Sequence, residues 1–208
     1  MATMRLRSRT NDPRRVRRWN TTAFESSFRE RVHALISPNL DYFSLLRPLS
    51  ELAVASRFAG NSRYDDVFSS CNRNFRILGP KPSDRWCGQC PKCHFVFLAL
   101  APFMPKPRLL AILGRNLLDD STQPSGSDAL FEYRDHKPFE CVGEGRESRA
   151  AIAALSQRAE WREDAIVERF AHEILPQLDA PELALVDLLQ PDGEHSIPSR
   201  LQPEVERS

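Results

Sequence analysis

Four cysteines dominate the chemistry this sequence can offer: Cys71, then Cys87, Cys90 and Cys93 in the run Cys87-Gly88-Gln89-Cys90-Pro91-Lys92-Cys93. The pattern is C-x15-C-x2-C-x2-C. Two residues between thiols, with glycine or proline in the turn, let a backbone wrap a small ion. A fourth thiol from an earlier loop closes a tetrahedron. Four thiolates with no open position suit a structural zinc ion, which supplies folding energy to a segment poor in apolar residues. The spacing also fits part of an iron–sulfur motif, although the C-x3-C-P element that follows in ferredoxins is absent, and it fits reduced thiols without metal. His94, next to Cys93, is either a substitute ligand or a hydrogen-bonded core residue.

A second group lies in His136-Lys137-Pro138-Phe139-Glu140-Cys141-Val142-Gly143-Glu144. The thiol of Cys141, the imidazole of His136 and the carboxylates of Glu140 and Glu144 can serve proton transfer within nine residues. The plainer reading of Cys141 is a buried free cysteine in a turn before a helix. Asp65 and Asp66 are either magnesium ligands or turn caps. No G-x4-G-K-[ST] or G-x-G-x2-G phosphate loop occurs.

The elements around these residues read as helices. Phe24, Phe28, Val32, Leu35 and Ile36 fall at helical spacing, and Ser37-Pro38-Asn39 ends the run. A second helix is expected from Pro48 to Gly60. Residues 64–93 have loop composition, with Phe75-Arg76-Ile77-Leu78 as one short strand. A buried helix is expected from His94 to Ala101, helical turns from Arg108 to Leu113, and a short helix from Asp128 to Tyr133. Residues 146–175 form the clearest helical tract, and Glu182–Leu189 a last short helix. The fold class is therefore mainly α with little β, around a loop stapled by a metal on four cysteines.

Composition bounds the function. The 208 residues carry 29 Lys+Arg and 28 Asp+Glu, a net charge of +1. Residues 1–18 hold seven arginines against Asp12, while 176–208 hold five prolines and seven acidic residues against two basic ones. The chain divides into a basic, solvated arm at 1–23, a domain at 24–175 and a Pro-rich acidic tail at 176–208. No apolar run approaches the 18 or so residues of a membrane span. An arginine-rich start without an apolar h-region, together with cysteines of metal or thiol type, points to a cytoplasmic protein that is not secreted.

Four separated motifs carry a resemblance: Tyr42-Phe43-Ser44-Leu45-Leu46-Arg47-Pro48-Leu49-Ser50-Glu51-Leu52, Phe68-Ser69-Ser70-Cys71-Asn72-Arg73-Asn74-Phe75, Trp86 to Cys93, and Lys137 to Glu144. In this order they resemble the C-terminal part of the bacterial UDP-N-acetylmuramoyl-L-alanyl-L-glutamate epimerases, over residues 24–175. The resemblance implies a peptidoglycan-precursor enzyme: a helix-rich portion of an α/β enzyme similar to PP-loop ATP-pyrophosphatases. In that family ATP, with magnesium, adenylates the terminal L-glutamate carboxylate of the UDP-MurNAc-dipeptide. The α-carbon is then inverted, and hydrolysis releases AMP. The logic is physical: a free carboxylate opposes carbanion formation at its own α-carbon, and the acyl-adenylate removes that charge.

The resemblance makes Cys141, Glu140, His136 and Glu144 candidates for acid and base. It makes Arg47, Arg73 and Asn74 candidates for substrate contact, since guanidinium forks suit carboxylate and phosphate. The family's Ser-Gly-Gly-x-Asp-Ser loop is absent, so the chain is expected to be a truncated form lacking the ATP-binding half, or a split subunit whose partner is a separate ATP-binding N-terminal half. Two rival readings are a zinc-stabilised nucleic-acid-binding or interaction module using the arginine arm, and a thiol redox protein. Nucleic acid is the weaker partner, because the arm has neither aromatic interleaving nor a helical period.

Overall fold

In the computed structural model the described residues are 22–120, 124–133 and 142–202. The arginine arm, His136, Glu140 and Cys141 lie outside them. The chain forms two compact units, Met1–Pro48 with Asp192–Ser208, and Leu49–Pro191.

The first unit is built on α1, Thr22–Leu35. Its buried anchor is polar: Glu25, 1 % exposed, accepts from Arg47 Nε at 3.3 Å and from the Ser44 amide. Phe28 stacks on Phe24 and meets Tyr42 edge-on, with ring centroids 5.9 and 4.6 Å away. Val32 is buried as the spacing predicts, whereas Leu35 and Ile36 remain in solvent where the helix ends.

The second unit contains α2 (Glu51–Ala59), α3 (Pro91–Leu100), α4 (Lys106–Leu113), α5 (Pro124–Phe131), α6 (Gly145–Ser156), α7 (Ala165–Arg169) and α8 (Leu185–Leu188). The fold is mainly α, with no strand among the described residues. Helix α2 starts at Glu51 rather than Pro48 because Ser50 takes the N-cap, accepting from the Ala53 amide at 2.9 Å. Helix α3 is apolar nearly all round and buried accordingly, with Phe97 at 0 % and Leu98 at 2 % exposure. It begins three residues before the expected His94, since Pro91 is tolerated in a first turn and needs no amide partner. Helix α6 crosses it with Ala150, Ala151, Ile152 and Leu155 fully buried, the small alanines allowing close approach.

Two expectations are corrected. Residues 75–78 form no strand: Phe75, Ile77 and Leu78 are exposed, and no neighbouring strand exists among the described residues to pair with them. The tract 146–175 is not one helix. Trp161, 0 % exposed, turns into the core beside Phe97, and the chain leaves the helical path between Ser156 and Ala165 to let it in. Asp164 then opens α7, held by Lys106 Nζ at 2.7 Å and Asn116 Nδ2 at 2.9 Å. A π-helical turn, Phe170–Ile174, follows α7. Beyond it Leu178, Leu185, Leu188 and Leu189 pack on the core, so the first half of the acidic tail belongs to this unit.

Candidate metal centre and adjoining groove

The fold brings Cys71, Cys87, Cys90 and Cys93 together, with all four Sγ atoms within 4.8 Å of one another. Cys90 precedes α3 and Cys93 sits in its first turn. Cys87 and Cys90 flank a tight knuckle that Gly88 permits at φ 62°. Cys71 comes from the preceding loop and accepts from the Cys87 amide at 3.5 Å, while Cys87 accepts from the Gln89 amide at 3.4 Å. The sulfurs of Cys90 and Cys93 are 3.4 Å apart and those of Cys87 and Cys93 are 3.8 Å apart. A tetrahedral ion with metal–sulfur bonds of about 2.3 Å requires edges of about 3.8 Å. The donor set therefore fits a small thiophilic cation. Nothing here is a disulfide: all four cysteines are free.

The electrostatics agree. Hydrogen bonding between the Cys90 and Cys93 sulfurs pulls the Cys90 thiol down to about 4. The same bond, with burial, pushes Cys93 well up, and burial raises Cys87. One thiolate is comfortable in this cluster. Further ionisation meets burial and like charge, which a bound cation would offset.

The neighbouring motif residues support this centre. Arg73 Nη1 donates to Gln89 Oε1 in the knuckle at 2.7 Å. Asn74 Nδ2 donates to the Arg85 carbonyl, and Ser69 Oγ donates to the same oxygen at 2.6 Å. Arg47 belongs to the first unit, paired with Glu25. Asp65 is engaged by a side chain from a distant part of the sequence. It forms a bidentate pair with Arg108 at 2.7 and 2.9 Å, and that hydrogen bonding holds its carboxyl below the usual range. His94 is buried on α3, outside the four-sulfur group.

The sequence reading passed over Glu147. It is 5 % exposed and its two oxygens engage two helix starts: Oε1 accepts from the Leu52 amide at 3.3 Å and Oε2 from the Glu144 amide at 2.7 Å. Glu144, an expected acid–base candidate, occupies the N-cap of α6. The signal was present, as an acidic residue at the third position of a helix reaches back to its N-cap. Gly143 lies pinched between this carboxylate and the ring of Phe95. A groove of about 180 Å³ opens between α2 and α3, walled by Phe58, Phe68, Phe95 and Val96, with Glu51 and Lys92 also lining it. An aromatic row from Phe58 through Phe68 to Trp86, with centroids 4.7 and 5.3 Å apart, joins it to the cysteine knuckle.

Burial pushes the Glu147 carboxyl above its ordinary 4.5, outweighing the three backbone amides that favour the ionised form. With the folded value raised, its contribution to stability is full below pH 4.5 and declines as pH rises through the folded value. Glu147→Gln removes that slope and turns an amide NH2 toward one of two backbone donors. We expect chemical denaturation to read a loss of about 1–3 kcal/mol with a flatter pH profile above 4.5.

Residues 67–184, more than half the chain, match the family described as the MurL C-terminal domain. A relative from Xanthomonas oryzae pv. oryzae (strain MAFF 311018), named UDP-N-acetyl-alpha-D-muramoyl-L-alanyl-L-glutamate epimerase, is 64% identical over 179 residues, covering 86% of this chain and 40% of the relative. A Micromonospora relative of the same name is 49% identical over 157 residues, covering 76% of this chain and 34% of its own length. One from Salinispora tropica is 45% identical over 159 residues, with the same two shares. This chain thus spans two fifths or less of the relatives it matches. No solved structure matches it.

Proposed function

The chain belongs to the MurL C-terminal domain family, and from that premise we propose that it serves ATP-dependent epimerisation of the terminal L-glutamate of UDP-MurNAc-L-Ala-L-Glu, a step in peptidoglycan-precursor synthesis. The observation that carries this reading is the shared name and high identity of the relatives over most of this chain. The reaction needs a carboxylate activated as acyl-adenylate, a base to remove the α-proton and an acid to return one on the other face. His136, Glu140, Cys141 and Glu144 are the proposed acid–base set. Arg47 and Arg73 offer guanidinium forks for substrate carboxylate or phosphate, and Asn74 holds the loop that carries Arg73.

Zinc is the proposed ion at Cys71, Cys87, Cys90 and Cys93. When bound it supplies a structural cross-link with no open position for chemistry. ATP and magnesium are held by polypeptide beyond this chain's share of the relatives, in a PP-loop-like α/β part. That part acts with this chain on the substrate, in the cytoplasm.

The test grafts this chain's aligned residues into the full-length Xanthomonas relative. The graft is expected to release AMP and form D-glutamate product, whereas this chain alone releases none. A folded graft that binds substrate and ATP yet yields no inverted product would overturn the reading.

A further inference from the structure

Helix α4 ends at Gly114, whose left-handed backbone (φ 80°) reverses the chain and lays Arg115 against the cysteine knuckle. Its Nη2 donates to the Cys87 carbonyl at 2.6 Å. The guanidinium occupies the space a side chain at residue 88 would need: a Cβ there would lie 2.3 Å from Nε and 2.4 Å from Nη2. Gly88 is thus required twice, for its positive φ and for this close approach. No carboxylate among the described residues pairs with Arg115. A guanidinium with no carboxylate partner among the described residues, bonded to the Cys87 carbonyl on the loop between two thiols, is placed to face the charge of the cluster. Four thiolates around a divalent ion carry a net charge of about −2, and this centre is nearly buried, Cys71 and Cys93 at 0 % exposure.

We propose that Arg115, admitted by Gly88, is the positioning residue that compensates the charge of a metal-loaded four-thiolate centre and thereby sets its affinity for zinc. This rests on the zinc reading above. The amides aimed at the sulfurs supply part of the compensation, and Arg115 supplies a full charge bonded directly to the backbone of a ligand, Cys87. Because Arg115 is exposed, salt screens its share.

The test measures zinc affinity of the full chain by competition with a chromophoric chelator, at low and high salt. Arg115→Gln keeps an NH2 donor for the Cys87 carbonyl but loses the charge; Arg115→Lys keeps the charge. We expect Arg115→Gln to bind zinc about tenfold more weakly at low salt, the gap to narrow at high salt, and Arg115→Lys to restore most of the affinity. Circular dichroism of the zinc-loaded variants confirms the fold. Wild-type affinity in Arg115→Gln, or a loss that is equal in both variants and insensitive to salt, would overturn the proposal in favour of a mere hydrogen-bonding role. A wild-type chain that takes up no zinc overturns the zinc reading itself, and is seen before any variant is made.

Discussion

Stripping zinc with a strong chelator is expected to lower the thermal midpoint of this chain by about 8–16 °C. The size follows from linkage: an ion present at about a thousand times its dissociation constant stabilises by about 4 kcal/mol, and a chain of this length shifts by about 2–4 °C per kcal/mol. The loss should be concentrated around the knuckle, because residues 72–85 bring almost no buried apolar surface of their own. What closes that loop is Cys71 at one end and Cys87 at the other. Cys93, fully buried in the first turn of α3, ties the cluster to the central helix. Cys93→Ser should therefore reproduce the chelator's effect and abolish stoichiometric zinc. Both differential scanning calorimetry and metal analysis read the outcome. An unchanged midpoint with zinc removed would mean that the thiols are packed core residues and the loop is held by Asn74, Ser69 and Arg85 alone.

The cysteine centre was legible because metal-ligand spacing is a local property: a knuckle must be tight, so its ligands lie close in sequence. Cys71, sixteen positions before Cys87, was a candidate fourth ligand whose place beside the other three only the fold reveals. Helix α3 was legible for a related reason, as an uninterrupted apolar run has few ways to be buried. What the sequence concealed was long-range. Trp161 breaks the tract 146–175 because of where Phe97 lies, and no periodicity within the tract encodes that contact. Phe75, Ile77 and Leu78 have strand-like composition but no partner strand among the described residues. The role of Glu147 depends on the Leu52 amide, 95 positions away in sequence. Asp65 depends likewise on Arg108. A residue type announces what it can do, and the fold decides which partner takes it.

Gly143 carries the second large prediction. It stands in the Lys137–Glu144 motif, where a glycine invites a catalytic explanation, yet its surroundings give a steric one. A Cβ at this position would lie 2.3 Å from the Phe95 ring and 2.6 Å from Glu147 Oε2. Neither neighbour can yield cheaply: Phe95 is 2 % exposed on α3, and Glu147 holds two helix starts. Gly143→Ala should cost about 3 kcal/mol, at the upper end of ordinary overpacking. Phe95→Leu trims the ring and alone should cost about 1–2 kcal/mol. If the ring is the obstacle, the double variant will be more stable than the sum of the two losses by about 2 kcal/mol, because the smaller side chain gives the new methyl room. The remainder is the contact with Glu147, which the leucine leaves in place. Urea unfolding of the four chains measures the coupling directly. Simple additivity would mean that the backbone moves aside at 143 instead of pressing on α3, and that the hold of Phe95 and Glu147 on Gly143 is looser than its geometry indicates.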